Sequence, residues 1–220
     1  EDCTAVGFPD GVVNVITGRG PIAGEALISH PDVSMVSFTG STRVGQRVME
    51  LATRGIKRVH LELGGKAPFV VFEDADLAAA IEGAVAGSLI NTGQDCTAAT
   101  RAYVHRSLFE QFIDGVGRIF ENIVVGDPGN ASTDIGPLVS LAQRDRVHQF
   151  VTRAKEAGAV VHVGGSPVVM DGGAFYPPTL ISGVAQDSEI VQEEIFGPVL
   201  VVLPFDTVEE GLALANDTRY

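Results

Sequence analysis

The sequence predicts an α/β fold, a parallel sheet with flanking helices. Short β-branched runs alternate with helical stretches from one end of the chain to the other. Several runs close on glycine, as at Thr17-Gly18, Thr39-Gly40 and Gly64-Gly65. The 220 residues are 45% hydrophobic and 20% charged, an ordinary globular balance that suffices for one large domain or two small ones.

In chain order, residues 12–16 read as a strand and 21–28 as a helix. A strand over 33–38 leads into a helix over 41–53, and 57–63 is a third strand. The alternation resumes with a strand at 69–72, then an alanine-rich helix over 76–91, capped by Asp74 or Asp76. Residues 102–105 form a strand, 108–123 a helix, 126–136 a loop, 141–157 a helix and 160–163 a strand. The glycines and prolines of 171–178 make an irregular loop, and 179–184 and 199–204 are the last strand-like runs. A boundary falls near Gly64-Gly65, giving units 1–63, which resembles a nucleotide-binding sheet, and 64–220, a second α/β unit.

The net charge of -13, from 28 acidic and 15 basic side chains, repels phosphate backbones and argues against nucleic acid as a partner. Two cysteines, Cys3 and Cys96, make neither a disulfide framework nor a zinc cluster, so no metal is expected and a reduced, cytoplasmic protein fits. No apolar stretch approaches the ~20 residues of a membrane span. No signal peptide follows Glu1; a chain that begins without Met is either processed or a piece of a longer one.

Four segments carry candidate chemistry. In Phe38-Thr39-Gly40-Ser41-Thr42-Arg43-Val44-Gly45 a strand gives way to a helix. Free N–H groups and the helix dipole there suit a diphosphate, though the segment also reads as an ordinary Ser cap after a Gly turn. In Leu61-Glu62-Leu63-Gly64-Gly65-Lys66, a strand-end carboxylate faces the side where open α/β sheets bind ligands. An apolar setting would raise Glu62 toward the range of a general base; the bland alternative pairs it with Lys66 or Arg58. In Asn91 to Arg101, Cys96 lies among small and polar residues, in a loop where N–H groups can favour a thiolate. Gln192 to Val199 is either a turn entering a strand or a carboxylate, Glu194, gripping ribose hydroxyls with a ring, Phe196, against a cofactor.

Taken in order, FTGSTxxG, LELGGKxP, GQxC and EEIFGPV resemble the aldehyde dehydrogenase superfamily over the whole chain. The wording GQDCTAA at Gly93–Ala99 is most similar to the γ-aminobutyraldehyde dehydrogenase branch. The resemblance implies that Cys96 attacks an aldehyde as a thiolate and that its N–H supports the oxyanion. Hydride then passes to NAD, with NADP also open, and Glu62 activates the water that releases the acid. It further implies that Ser41 meets the diphosphate, Gly40 and Gly45 shape that turn, Leu63 lies near the nicotinamide, and Glu194 holds the nicotinamide ribose with Phe196 close by. By the same resemblance, 1–63 is the later part of a Rossmann-like NAD(P)-binding domain and 64–220 an incomplete catalytic domain. The family's oxyanion Asn and its adenosine-ribose Lys precede Glu1, and its subunit-exchange strand follows Tyr220. The chain is therefore expected to be a fragment of a homodimeric or homotetrameric parent. The rival readings are a Cys-His hydrolase using His60, His105 or His148, and a silent family member serving as a binding or structural module.

Overall fold

The computed structural model describes residues 2–170 and 172–220; Asp171, where the 171–178 loop was expected to begin, lies outside them. Two compact units emerge, Glu1–Leu63 and Gly64–Tyr220.

In the first unit a short helix α1 (Asp2–Ala5) is followed, after a π turn over Gly20–Gly24, by α2 (Glu25–Ser29). Strands β1 (Met35–Gly40) and β2 (Arg58–Leu63) pair in parallel, Phe38 opposite Leu61 and Gly40 opposite Leu63. The crossover between them is α3 (Thr42–Thr53), the helical connection that a parallel pair requires. It buries Gly45, Val48, Leu51 and Ala52, spaced to lie on one stripe. Arg47 on α3 forks onto the Glu25 carboxylate of α2 at 3.0 and 2.8 Å.

The strand expected at 12–16 is not formed. A β-branched run becomes a strand only where a neighbour accepts its ladder hydrogen bonds, and among the described residues none does. Val12, Val13, Val15 and Ile16 are accordingly exposed.

The second unit is a five-stranded sheet in the order β3 (Pro68–Val71), β4 (Arg101–His105), β7 (Val199–Phe205), β6 (Thr179–Ser182), β5 (Val160–Val163). Four strands run parallel, as expected, but β5 is antiparallel to β6. Among the described residues no helix lies between β5 and β6, and so no helical crossover brings them parallel. Helices α4 (Leu77–Leu89) and α5 (Phe109–Asn122) join Val71, Ala102, Val104, Leu180, Leu200 and Val202 in one apolar core. The opposite core gathers Tyr103, Ile181, Val199, Val201 and Leu203 with α6 (Leu141–Glu156), α7 (Glu189–Gln192) and α8 (Val208–Asn216). Along β7 alternate residues thus enter opposite cores, the period-two consequence of a sheet covered on both faces. Among the described residues no helix is long and apolar enough to cross a membrane.

Candidate active site

The loop that carries Cys96 grows from the end of α4. Asp76 caps that helix by accepting from the N–H groups of Ala78 and Ala79 at 3.0 and 3.1 Å. Past Leu89 the chain tightens into a single turn in which Asn91 (φ 48°) and Thr92 (φ 59°) are left-handed, a costly state for side-chain-bearing residues. The turn is locked from several sides. The Asn91 amide donates to Gln94 O at 2.9 Å, Thr92 Oγ1 to Gly136 O at 3.4 Å, and the N–H of Val139 to Gln94 Oε1 at 2.9 Å. Gly93 is required twice over: its φ is +71°, and a Cβ there would stand 2.2 Å from Gly197 O.

Cys96 follows, exposed, its thiol free. Asp95 beside it serves the loop: one carboxylate oxygen accepts from the Thr97 N–H at 2.6 Å and from its hydroxyl at 2.7 Å. Those bonds, the hydroxyl's first, hold the Asp95 carboxyl below the usual range.

Two glycines connect this loop to the EEIFG segment. A Cβ on Gly65 would lie 3.0 Å from Cys96 O, and one on Gly64 would lie 2.2 Å from Glu194 Oε2. With no side chain at either, the turn can approach the Cys96 backbone and the Glu194 carboxylate. The Gly65 N–H donates to Glu194 Oε1 at 3.3 Å, while Oε2 accepts no hydrogen bond among the described residues. Burial raises the Glu194 carboxyl above its ordinary value, opposed by the Gly65 N–H and by the charges of Arg146 and Lys66. Phe196 is again left-handed, at φ 59°. Helix α6 holds this segment in shape: Gln143 donates to the carbonyls of Ile195 and Phe196 at 3.1 and 2.8 Å, and Arg146 to those of Ile195 and Glu194 at 2.6 and 2.8 Å.

The first unit holds the other expected residues. Ser41 caps α3, accepting from the Val44 N–H at 3.4 Å. Gly40 and Gly45 take a structural part: a Cβ on Gly40 would meet the Phe38 ring at 2.5 Å, and one on Gly45 the Leu63 side chain at 2.5 Å. Glu62 departs from expectation. Its side chain is 62% exposed, on the open face of β2, so the apolar setting is absent; its partner is His60, at 3.3 Å, and neither Lys66 nor Arg58. Two residues apart on a strand, His60 and Glu62 share a face, which sets up that pairing.

Two buried charges escaped the sequence reading. Arg101, fully buried at the start of β4, donates to Lys66 O at 2.7 Å, the Tyr103 hydroxyl at 2.9 Å, and the carbonyls of Leu214 and Ala215 at 3.4 and 2.7 Å. The last two lie at the carbonyl end of α8, where the helix dipole favours a cation. Lys66 is buried as well, and its amine is pushed down to about 7, by burial first and then by Arg101. The signal available in the sequence was a charge beside an apolar strand at each position.

The histidines of the hydrolase reading are engaged elsewhere. His105 bonds with Ser107 and Asp206 O, His148 with the Tyr176 hydroxyl, and His60 with Ser37 and Glu62.

A model of the aldehyde dehydrogenase family matches residues 1–220. The chain is similar to the chloroplastic betaine aldehyde dehydrogenase of Beta vulgaris, 44% identical over all of this chain and 44% of that protein. It is 45% identical to the peroxisomal aminoaldehyde dehydrogenase 2 of Pisum sativum, again over all of this chain and 44% of the relative. The lactaldehyde dehydrogenase of Escherichia coli K12 is 44% identical over 98% of this chain and 45% of its own length. A Bacillus cereus aldehyde dehydrogenase solved in complex with NAD+ superposes with a TM-score of 0.96 at 45% identity, covering 98% of this chain and 44% of that one. The chain thus spans a little under half the length of the relatives it matches.

Proposed function

The chain belongs to the aldehyde dehydrogenase family, and from that premise we propose that it supplies the nucleophile, the general base and part of the cofactor site of an NAD(P)-dependent enzyme that oxidises an aldehyde to a carboxylic acid. The observation that carries this reading is the Gly64-Gly65 turn, which lies against the Cys96 backbone and the Glu194 carboxylate at once. The backbone of a nucleophile and a carboxylate suited to ribose hydroxyls, gathered at one turn, support a site that presents a nicotinamide to a substrate carbon. The half-buried Glu194, with one oxygen on a backbone N–H and the other open, fits a diol ligand. Ser41 at the N-terminus of α3 fits a diphosphate, and the family resemblance gives Leu63 a part near the nicotinamide and Phe196 one near its ribose.

In this reading the Cys96 thiolate adds to the aldehyde carbon, and the C=O pair moves to oxygen, where the Cys96 N–H stabilises it. Bound NAD(P)+ supplies the acceptor for the hydride that leaves that carbon. The oxygen pair then re-forms the carbonyl as a Cys96 thioester. Glu62 takes a proton from water, the resulting hydroxide attacks the thioester, and the acid departs with the Cys96 thiolate restored. The exposure of Glu62 leaves it open to water. We place the substrate among aminoaldehydes, on the wording Gly93–Ala99 and on Asp95, whose second oxygen takes no hydrogen bond among the described residues. Relatives named for betaine aldehyde, aminoaldehydes and lactaldehyde stand at 44%, 45% and 44% identity, so overall identity does not choose between them. Two free thiols fit a reducing compartment, and the cytoplasm and a homodimer or homotetramer complete the proposal.

The test is NADH formation from γ-aminobutyraldehyde, betaine aldehyde and lactaldehyde by the natural full-length protein and its Cys96→Ala form. The expected result is turnover that Cys96→Ala abolishes. A Cys96→Ala form as active as the wild type overturns the assignment, and a wild type silent with every aldehyde favours the binding-module reading instead.

A further inference from the structure

Lys66 directly follows the Gly64-Gly65 turn. The residue is 2% exposed, and its Nζ has no hydrogen-bond partner among the described residues. A buried amine in that state has given up its hydration without compensation, and a native fold retains such a group for a reason. The charges that face it come from three elements: Arg101 of β4, Arg146 of α6, and Glu193 and Glu194 ahead of β7. Its backbone is fixed as well, because Lys66 O accepts from the buried Arg101 at 2.7 Å while the preceding N–H, of Gly65, donates to Glu194. Glu194 is therefore tied to the Lys66 segment through the backbone and acted on by its amine.

We propose that Lys66 is a positioning residue for Glu194: its buried amine supplies the positive charge that keeps the Glu194 carboxylate seated on the Gly65 N–H, in place to accept cofactor ribose hydroxyls. The inference rests on the reading of Glu194 given above. Burial and Arg101 bring the Lys66 amine to about 7, so its charge grows as the pH falls below neutrality. That is the range in which Glu194, raised by its own burial, comes closest to taking up a proton. The lysine charge opposes that uptake, so the carboxylate persists to lower pH than it would alone.

The test is the Kd for NAD+, measured by calorimetry on the natural full-length protein from about a unit above to about two units below the Lys66 value. Lys66→Met is expected to bind as the wild type does at the upper end and to weaken progressively, by about threefold, toward the lower. Lys66→Arg, which keeps the charge, is expected to follow the wild type. Should Lys66→Met fail to fold by circular dichroism, Lys66→Gln serves in its place. A neutral variant that tracks the wild type at every pH, or is weakened by one constant factor throughout, overturns the proposal. Glu194→Gln separates the underlying reading: if it binds NAD+ as the wild type does, Glu194 does not hold the cofactor and the assignment of Lys66 falls with it, whereas a weakened Glu194→Gln beside a pH-indifferent Lys66→Met refutes Lys66 alone.

Discussion

At the scale of single residues, the candidate site rests on positions that ordinary chains avoid. Asn91, Thr92 and Phe196 are left-handed without being glycine, and Lys66 and Arg101 are charges in the interior. Each lies within or beside the Cys96 loop, the Gly64-Gly65 turn or the EEIFG segment, and strain and buried charge gathered together are the signature of a site whose geometry outranks stability. The Lys66 charge has a measurable cost. Its folded value is about 7 against 10.5 for an unburied lysine, so between those limits the unfolded chain holds a proton that the folded chain lacks. Stability must therefore rise with pH across that window, by up to ~1.4 kcal/mol per unit, and be insensitive to this group below it. Lys66→Met should melt above the wild type at neutral pH, and the gap should close as the pH approaches 10.5. Melting curves with a pH-independent difference would contradict the burial of a titrating amine. The candidate residues Cys96, Glu194 and Ser41 could be picked out from their neighbours in sequence. Lys66 and Arg101 each stand beside an apolar strand, but that signal does not report burial, which brings Arg101 against carbonyls of α8, far along the chain.

Among the elements, the local patterns were legible wherever tertiary partners agreed with them. The stripe of α3, the Asp76 cap of α4 and the apolar run of β7 all appear as the spacing predicts. The exceptions have physical causes. Residues 12–16 have strand composition but no neighbour to pair with. The antiparallel course of β5 follows from the missing crossover helix, which periodicity within a strand does not report. Helix α8 went unread although Thr207 and Glu210 stand in capping-box spacing; Glu210 N–H donates to Thr207 Oγ1 at 3.2 Å, and the Glu210 carboxylate accepts from the Asp206 N–H at 2.7 Å. The importance of α4 is that it delivers the Cys96 loop. Asp76→Ala should cost about 1 kcal/mol, lowering Tm by ~2–4 °C in a domain of this size, with kcat held within about twofold. A loss of activity without a loss of stability would mean that Asp76 acts on the chemistry itself.

For the molecule as a whole, family membership is secure from the match over residues 1–220, and the two units divide the expected labour: Ser41, Leu63 and Glu62 belong to one, Cys96, Glu194 and Phe196 to the other. The fold class was readable because the parallel-paired strands, two in the first unit and four in the second, and their helices are written in alternating periodicities. The exposed setting of Glu62 was not, since the sequence shows that a carboxylate ends a strand but not what covers it. The central claim is that Cys96 carries the substrate as a thioester which Glu62 helps to hydrolyse. Its most direct test is the intact mass of the natural full-length Glu62→Gln protein, quenched in acid after mixing with aldehyde and NAD+. Loss of a general base slows its step by ~10²–10⁴-fold, so the account predicts an added acyl group, mapped by peptide digestion to Cys96, together with one equivalent of NADH. Unmodified Cys96 in a protein that still forms NADH would contradict it.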